Sequence, residues 1–481
     1  MKLIPLLQLF VLVYFFFVNG MYSLLTLLAF PLVRQQHRRS FIDDLQGLFG
    51  SRLAPGVSIL VPAHNEEAAI VESVRSLLMS HYPRFEVVVI DDGSTDGTAA
   101  ELIKAFGLRK VYRVARDDIA TAPIHATYLS EKHDNLVLIL KGHGGKADSL
   151  NVGINAAKHP YFFSIDADVV LERDAVIRAM KPVMRDPERV VASGGIVRVA
   201  NGCRIVNGRM VRAALSPRHL PVLQVVEYIR AFSAGRAGLS ALDSLLIIYG
   251  AFGVFDTRLA RSVGGYLLGT VGEDMELLVR MRRRLLESKT KHHVLYLAYP
   301  VAWTEVPETF CLLGRQRARW QRGLCETLWH HRRMLFNPRY GHIGLFAMPF
   351  FLLVEFFGPI AEAAGYLLLV WWIVTGQIFW PYFWWFFAMA VLWGVLLSFA
   401  AVLFEDVNFT WYRLRRSLVR LLGHALLENF GYRQLTVFWR LRGVVQFLRG
   451  ETSWGQMEHR GFAEGADAGA DEGVAEAPDA R

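Results

Sequence analysis

Residues 3–33 contain no charged side chain, and neither do residues 363–404. No other feature restricts the fold so tightly. At about 1.5 Å of rise per residue, some 20 apolar residues cross a bilayer as a helix. The first run is long enough for one tilted span, and too long for the apolar centre of a cleaved leader. The second, 42 residues long, is enough for two spans. Two transmembrane helices are therefore expected within residues 343–404. A turn is expected near Thr375-Gly376-Gln377, where Trp371, Trp372, Trp380, Trp384 and Trp385 crowd as interfacial aromatics do. The remainder of the chain is polar enough to fold in water. Charged residues make up 20% even though 53% are hydrophobic and the mean hydropathy is +0.27. This hybrid composition excludes a disordered chain, a collagen-like chain and a small disulfide scaffold.

Charge gives the expected orientation. Arg34, Arg38 and Arg39 follow the first run, and Arg413, Arg415, Arg416 and Arg420 follow the last. Both clusters should face the cytoplasm. This arrangement gives three spans in a cell membrane, with the N-terminus outside and the intervening region in the cytoplasm. Residues 313–336 and 413–449 mix apolar residues with arginine and read as basic amphipathic segments on the membrane surface. Residues 461–481 hold six acids against Arg481, so this expected disordered tail carries −5 and the rest of the chain +14. The arginines track membrane boundaries and no base-reading module is present, which argues against a nucleic-acid partner. Cys203, Cys311 and Cys325 are too few and scattered for a disulfide framework or a zinc site.

Residues 51–312 alternate β-branched runs with helical patterns. Strands are expected at Val57–Val61, Glu86–Ile90, Leu136–Leu140 and Tyr161–Ile165, with helices ending near Met79 and spanning Asp148–Ala157. Strand, helix, strand in this order predicts the α/β class with a parallel sheet. Ligands of such sheets bind beyond the carboxyl ends of the strands. Asp91-Asp92 and Asp166-Ala167-Asp168 fall there. Carboxylates so placed suit a hard divalent cation bridging a diphosphate; alone, an Asp-x-Asp is more often a solvated turn. Gly144-Gly145-Lys146 before a helix suits a phosphate. Glu273-Asp274 opens a helix, where acids also simply offset the helix dipole.

Taken in order, these signals resemble the processive family-2 membrane glycosyltransferases, which include cellulose, chitin, hyaluronan and poly-N-acetylglucosamine synthases. The matching residues are Val61-Pro62-Ala63-His64-Asn65-Glu66-Glu67, Asp91-Asp92-Gly93-Ser94, Gly145-Lys146-Ala147, Asp166-Ala167-Asp168, Gly272-Glu273-Asp274, and Gln316, Arg319 and Trp320 in a Gln-x-x-Arg-Trp pattern. Gly144–Asn151 and the surroundings of Asp274 look closest to poly-β-1,6-N-acetylglucosamine synthase-like members. The resemblance implies a GT-A nucleotide-sugar-binding domain that transfers a hexose or N-acetylhexosamine from a UDP-sugar to a growing β-linked polysaccharide, with inversion. It implies that Asp92 contacts uracil, that Glu66 and Lys146 serve the donor, and that Asp166 and Asp168 hold Mg²⁺ or Mn²⁺. Asp274, beside Glu273, would be the general base. Gln316, Arg319 and Trp320 would hold the diphosphate and the acceptor end.

Gly272 departs from the family, which often has Thr there. Three spans are also fewer than several relatives have, so a homo-oligomer or export partner is an open expectation. Glu355 and Glu362 share a helix face and either line an exit path or pair with nearby arginines. Two other readings remain open at this stage: a non-processive transferase acting on a lipid or glycolipid, and a silent nucleotide-sugar sensor or scaffold.

Overall fold

A computed structural model describes residues 3–42, 54–112, 116–376, 380–409 and 415–451. Gln377 of the expected turn, Arg413 and the acidic tail lie outside the described residues. The strands are β1 (Val57–Ala63), β2 (Phe85–Asp91), β3 (Leu108–Val111), β4 (Ile124–Ser130), β5 (Leu136–Lys141), β6 (Tyr161–Ser164), β7 (Val170–Leu171), β8 (Val190–Val199), β9 (Arg204–Val206), β10 (Arg209–Arg212), β11 (Gly253–Asp256) and β12 (His293–Thr304). Ten of them form one sheet in the order β3-β4-β5-β2-β1-β6-β11-β8-β12-β7.

The expected parallel sheet is present at the centre, and β8 and β12 form a further parallel pair beyond β11. At the centre β5, β2, β1 and β6 run in one direction, while β4 and β11 flank them antiparallel. The central strands read as nearly unbroken apolar runs because helices cover both faces of the sheet. Val57, Ile59, Leu60, Val61 and Val87–Ile90 are fully buried. Register brings the strand ends together: Ala63 pairs with Asp91, and Asp91 with Leu140. His64, Asp92, the 142–146 loop and Asp166–Asp168 therefore emerge along one edge. Because β11 runs against β6, pairing Gly253 with Ser164, the loop before it reaches the same edge. The far end of β12 arrives there too, carrying Thr304.

Three helices are long and apolar enough to cross a membrane: Leu6–Arg38, Ile343–Thr375 and Trp380–Asn408. They hold each other through buried polar contacts. The Asn19 amide donates to the Met389 carbonyl at 2.7 Å, and the Trp393 indole N–H to the Ser23 hydroxyl at 3.0 Å. The first helix also reaches the sheet domain. The Gln36 side chain donates to Tyr296 O at 3.0 Å and accepts from Ala298 N at 2.9 Å. Leu25, Ala29 and Val33 join the apolar core that contains the central strands.

The helix Phe310–His330 packs its buried face against the helix Tyr432–Leu448 and leaves Phe310 and Trp329 exposed. A Cβ at Gly443 would run into the carbonyl of Ala318, so the two backbones nearly touch. Arg440 Nε donates to Gln321 Oε1 at 2.7 Å. Arg317 is buried and paired with Glu227 at 2.8 Å. Its charge serves an internal ion pair, although its spacing alone reads as a surface arginine.

Candidate active site

A cavity of about 1530 Å³ opens along the carboxyl edge of the central strands and continues between the membrane-type helices. Glu66, Asp92, Lys146, Asp166, Asp168, Glu273, Asp274, Gln316, Arg319 and Trp320 all line it. The sheet edge and the helices Glu273–Glu287 and Phe310–His330 bring every site residue expected from sequence to this one cavity.

At the centre lies a cluster of opposing charges. Lys146, the first residue of the helix Lys146–Ala156, places Nζ 2.6 Å from Asp166 Oδ1 and 3.9 Å from Glu273 Oε1. Burial pushes the lysine pKa down, but the carboxylates of Asp166, Asp274 and Glu273 outweigh it and the net shift is upward. Glu273 and Asp274 open the helix Glu273–Glu287. Burial raises the pKa of both, Asp274 raises that of Glu273 further, and Lys146 works in the opposite direction on each. Asp274 Oδ1 and Glu273 Oε2 are buried and accept no hydrogen bond among the described residues. A buried oxygen without a donor is costly, and an incoming hydroxyl would satisfy it.

Two glycine contacts place Asp274. Its carboxylate sits against Gly250, where a Cβ would collide with Oδ2. Gly272 lies against Gly323 of the helix Phe310–His330, and a Cβ on Gly272 would fall 2.7 Å from the Gly323 Cα. This contact explains the departure at 272: a threonine side chain has no room there. Asp274 and Trp320 both line the cavity. The Arg317 guanidinium lies 4.3 Å from the Trp320 ring centroid, and Tyr249 meets the same ring edge-on at 6.2 Å. Gln316 is buried and accepts from Arg317 at 2.8 Å.

Asp166 and Asp168 offer hard carboxylate donors on the cavity wall, and the Thr304 hydroxyl orients Asp168 Oδ2 at 2.8 Å. Two such groups suit Mg²⁺ or Mn²⁺, which take one or two carboxylates and complete their shell with phosphate oxygens and water.

Asp92 is deeply buried and heavily used. Lys141 bonds Oδ1, Gly144 N–H donates to Oδ1 at 2.9 Å, and Gly145 N–H to Oδ2 at 2.8 Å. Burial raises its pKa, but Lys141 and the two amides outweigh it and hold it below the usual range. The side chains that stand out into the cavity beside Asp92 are those of His64 and His143.

Sequence reasoning missed His143, Thr304, Lys141 and Arg236. Arg236 ends a π-helical turn, Arg230–Arg236, in the cavity wall. Its guanidinium lies 4.2 Å from the Phe232 centroid, and its Nη1 is buried without a hydrogen-bond partner. Such turns gather at functional sites, but nothing in the residue pattern marks this one.

The model of glycosyl transferase family 2 matches residues 58–209, and that of glycosyl transferase family group 2 matches residues 161–404, half of the chain. The chain belongs to glycosyl transferase family group 2. Similar family members include a poly-β-1,6-N-acetyl-D-glucosamine synthase of Staphylococcus epidermidis, 27% identical over 273 residues. The namesake from Staphylococcus aureus (strain COL) is 24% identical over 273 residues. Each alignment covers 57% of this chain and 55% of the relative, so the chain spans about half the length of the curated relatives it matches. Among solved structures, the mannosyltransferase PcManGT from Pyrobaculum calidifontis, in complex with GDP-Man and Mn²⁺, is similar at a TM-score of 0.47 and 18% identity, over 86% of this chain and 99% of that one.

Proposed function

We propose that this glycosyl transferase moves a hexose or N-acetylhexosamine from a UDP-sugar onto the non-reducing end of a β-linked polysaccharide at the cytoplasmic face of a cell membrane. One observation carries the reading. Asp274, with an unsatisfied buried oxygen, lines the same cavity as Lys146, Asp166, Arg319 and Trp320. A cavity of about 1530 Å³ also exceeds what a sugar nucleotide alone needs.

In this reading the donor diphosphate lies over Lys146 and Arg319. Asp166 and Asp168 would hold a divalent ion, which when bound would neutralise charge on the leaving phosphate oxygens. Trp320 presents a flat face to the terminal sugar of the acceptor. Its hydroxyl donates to Asp274 Oδ1, which takes the proton as that oxygen attacks the anomeric carbon. UDP departs from the opposite face of the carbon, so an α-linked donor yields a β-linkage. Lys146 and Arg319 stabilise the charge that develops on the departing diphosphate. The relatives' names support a polymer of N-acetylglucosamine as the first product to seek.

The membrane end of the cavity supports a path for the product. Glu362 pairs with Arg433 at 2.7 Å, and Glu355 with Arg440 at 3.2 Å. The pairing with nearby arginines is thus present, and all four residues also line the cavity. The helix Tyr432–Leu448 adds a wall to the three spans, which favours one chain enclosing much of the path. Any second copy or export partner would complete it.

Purified protein in detergent, given radiolabelled UDP-N-acetylglucosamine with Mg²⁺ or Mn²⁺, should release UDP and form a product of high mass. A product of one added sugar that extracts into organic solvent would replace the polymer reading with the lipid-acceptor one. No UDP release from any UDP-sugar would remove the reading.

A further inference from the structure

Two exposed histidines and a buried aspartate converge at the strand end of the cavity. His64 follows β1, Asp92 follows β2 and His143 lies just beyond β5, so three neighbouring parallel strands deliver them to one place. Nδ1 of His64 lies 3.0 Å from the Asp92 carbonyl oxygen. Nδ1 of His143 lies 3.1 Å from the same oxygen and 2.9 Å from Asp92 Oδ2. The imidazole centroids are 4.7 Å apart. One ligand atom from each residue lies within 4.8 Å of the other two, and all three residues line the cavity.

We propose that His64, Asp92 and His143 form a site for a borderline divalent cation, Zn²⁺ or Co²⁺, distinct from the Asp166–Asp168 pair. The donor set separates the two sites. Two imidazole nitrogens with one carboxylate oxygen suit Zn²⁺, Co²⁺ or Ni²⁺, whereas Mg²⁺ takes oxygen ligands almost alone. Three protein ligands leave a fourth position, which opens into the cavity, for water or a bound molecule. The charge balance also permits an ion. Lys141 shares Asp92, but its ammonium also bonds Asp148 at 2.8 Å. Two carboxylates against one ammonium leave a net negative charge beside the imidazoles.

The ligands are also held in place before any ion arrives. Asn65 has φ +57° and accepts the Thr95 N–H at 2.8 Å, and its own N–H donates to Ser94 Oγ at 3.0 Å. These bonds tie the loop carrying His64 to the loop after Asp92. Gly93 has φ +67°, and a Cβ there would come 3.1 Å from His143 N. That close approach sets the third ligand beside the other two. With no ion bound, two Nδ1–H donors on one carbonyl would be the alternative use of this pair.

A consequence rests on the proposed function. An ion here would stand on the wall where the nucleotide base of the donor is placed, so Zn²⁺ would compete with UDP. The test uses chelator-stripped full-length protein in detergent. Wild type should bind one more Zn²⁺ per chain than the double variant His64→Ala/His143→Ala, measured by calorimetry. Co²⁺ should give visible absorption bands that the double variant lacks. Zn²⁺ should raise the apparent Kd for UDP at least tenfold in wild type and leave it unchanged in the variant. If the double variant fails to fold, His143→Asn, at an exposed position, takes its place. Equal Zn²⁺ stoichiometry and equal Co²⁺ spectra in wild type and a folded variant would overturn the site. Loss of the metal in the variant without any effect of Zn²⁺ on UDP would leave the site standing and remove the nucleotide from this end of the cavity.

Discussion

Asp274 carries two costs that its chemistry would justify. Its carboxylate is buried and one oxygen lacks a donor. Asp274→Asn should therefore lower transfer by roughly 10²–10⁴-fold, the span typical of a lost general base, while UDP still binds. The same variant should stabilise the ligand-free fold by about 1 kcal/mol or more, seen as a higher Tm in detergent. The sign follows from linkage. A carboxylate whose folded pKa is raised binds more protons folded than unfolded, so the wild type loses stability as pH climbs from the ordinary carboxylate range through the raised value. The Asn variant should show a shallower slope, with the part due to Glu273 remaining. The base must also be deprotonated to act. The acid limb of kcat/KM should then lie above the ordinary aspartate range near ~4. The Lys146 ammonium is the main charge holding that value down, so Lys146→Met should move the limb to higher pH besides slowing turnover. A limb that stays in place would argue that another group titrates.

At the scale of elements, the meeting of two helices places the chemistry. The N-terminus of Glu273–Glu287 touches Phe310–His330 backbone to backbone at Gly272 and Gly323. A Cβ on Gly323 would lie 2.6 Å from the Gly272 Cα, with no flexible side chain to yield. Gly323→Ala should push the helices apart and cost 1–3 kcal/mol, to order of magnitude, from overpacking. A shift of this kind can cost about 100-fold in rate. The expected signature is a fall in kcat with UDP affinity largely kept, and unchanged kcat would show that the contact does not set the geometry. The strands and the helix opening at Lys146 were legible because fully buried parallel strands leave long apolar runs. The antiparallel flanks were not, since a strand's direction depends on which neighbour it meets. Nor was the burial of Arg317, whose partner Glu227 is 90 residues away.

Across the whole molecule, the cavity joins a charged sheet edge to a wall of paired ions among the apolar helices. Arg433→Leu would strand Glu362 without its partner. Breaking such a pair costs about 3–5 kcal/mol, whereas replacing both members with apolar groups is often neutral. Melting in detergent should therefore rank Arg433→Leu well below the double variant Arg433→Leu/Glu362→Leu. If the pair also guides product, the double variant should keep synthesis in detergent but lose delivery across sealed vesicles. Chelation should abolish transfer and Mn²⁺ or Mg²⁺ should restore it, since Asp166 and Asp168 offer the hard carboxylates that such an ion takes. By itself the sequence picked out three helices long and apolar enough to cross a membrane, the α/β core and ten residues that line the cavity. Each of these is written in local terms: runs without charge, apolar strands, and acids or a lysine just past a strand end. Only the tertiary structure decided that Gly272 must be a glycine, that Asp274 lacks a donor, that two histidines join Asp92, and that the last helix walls the cavity. These depend on distances between segments far apart in the chain, and no local pattern of residues encodes such a distance.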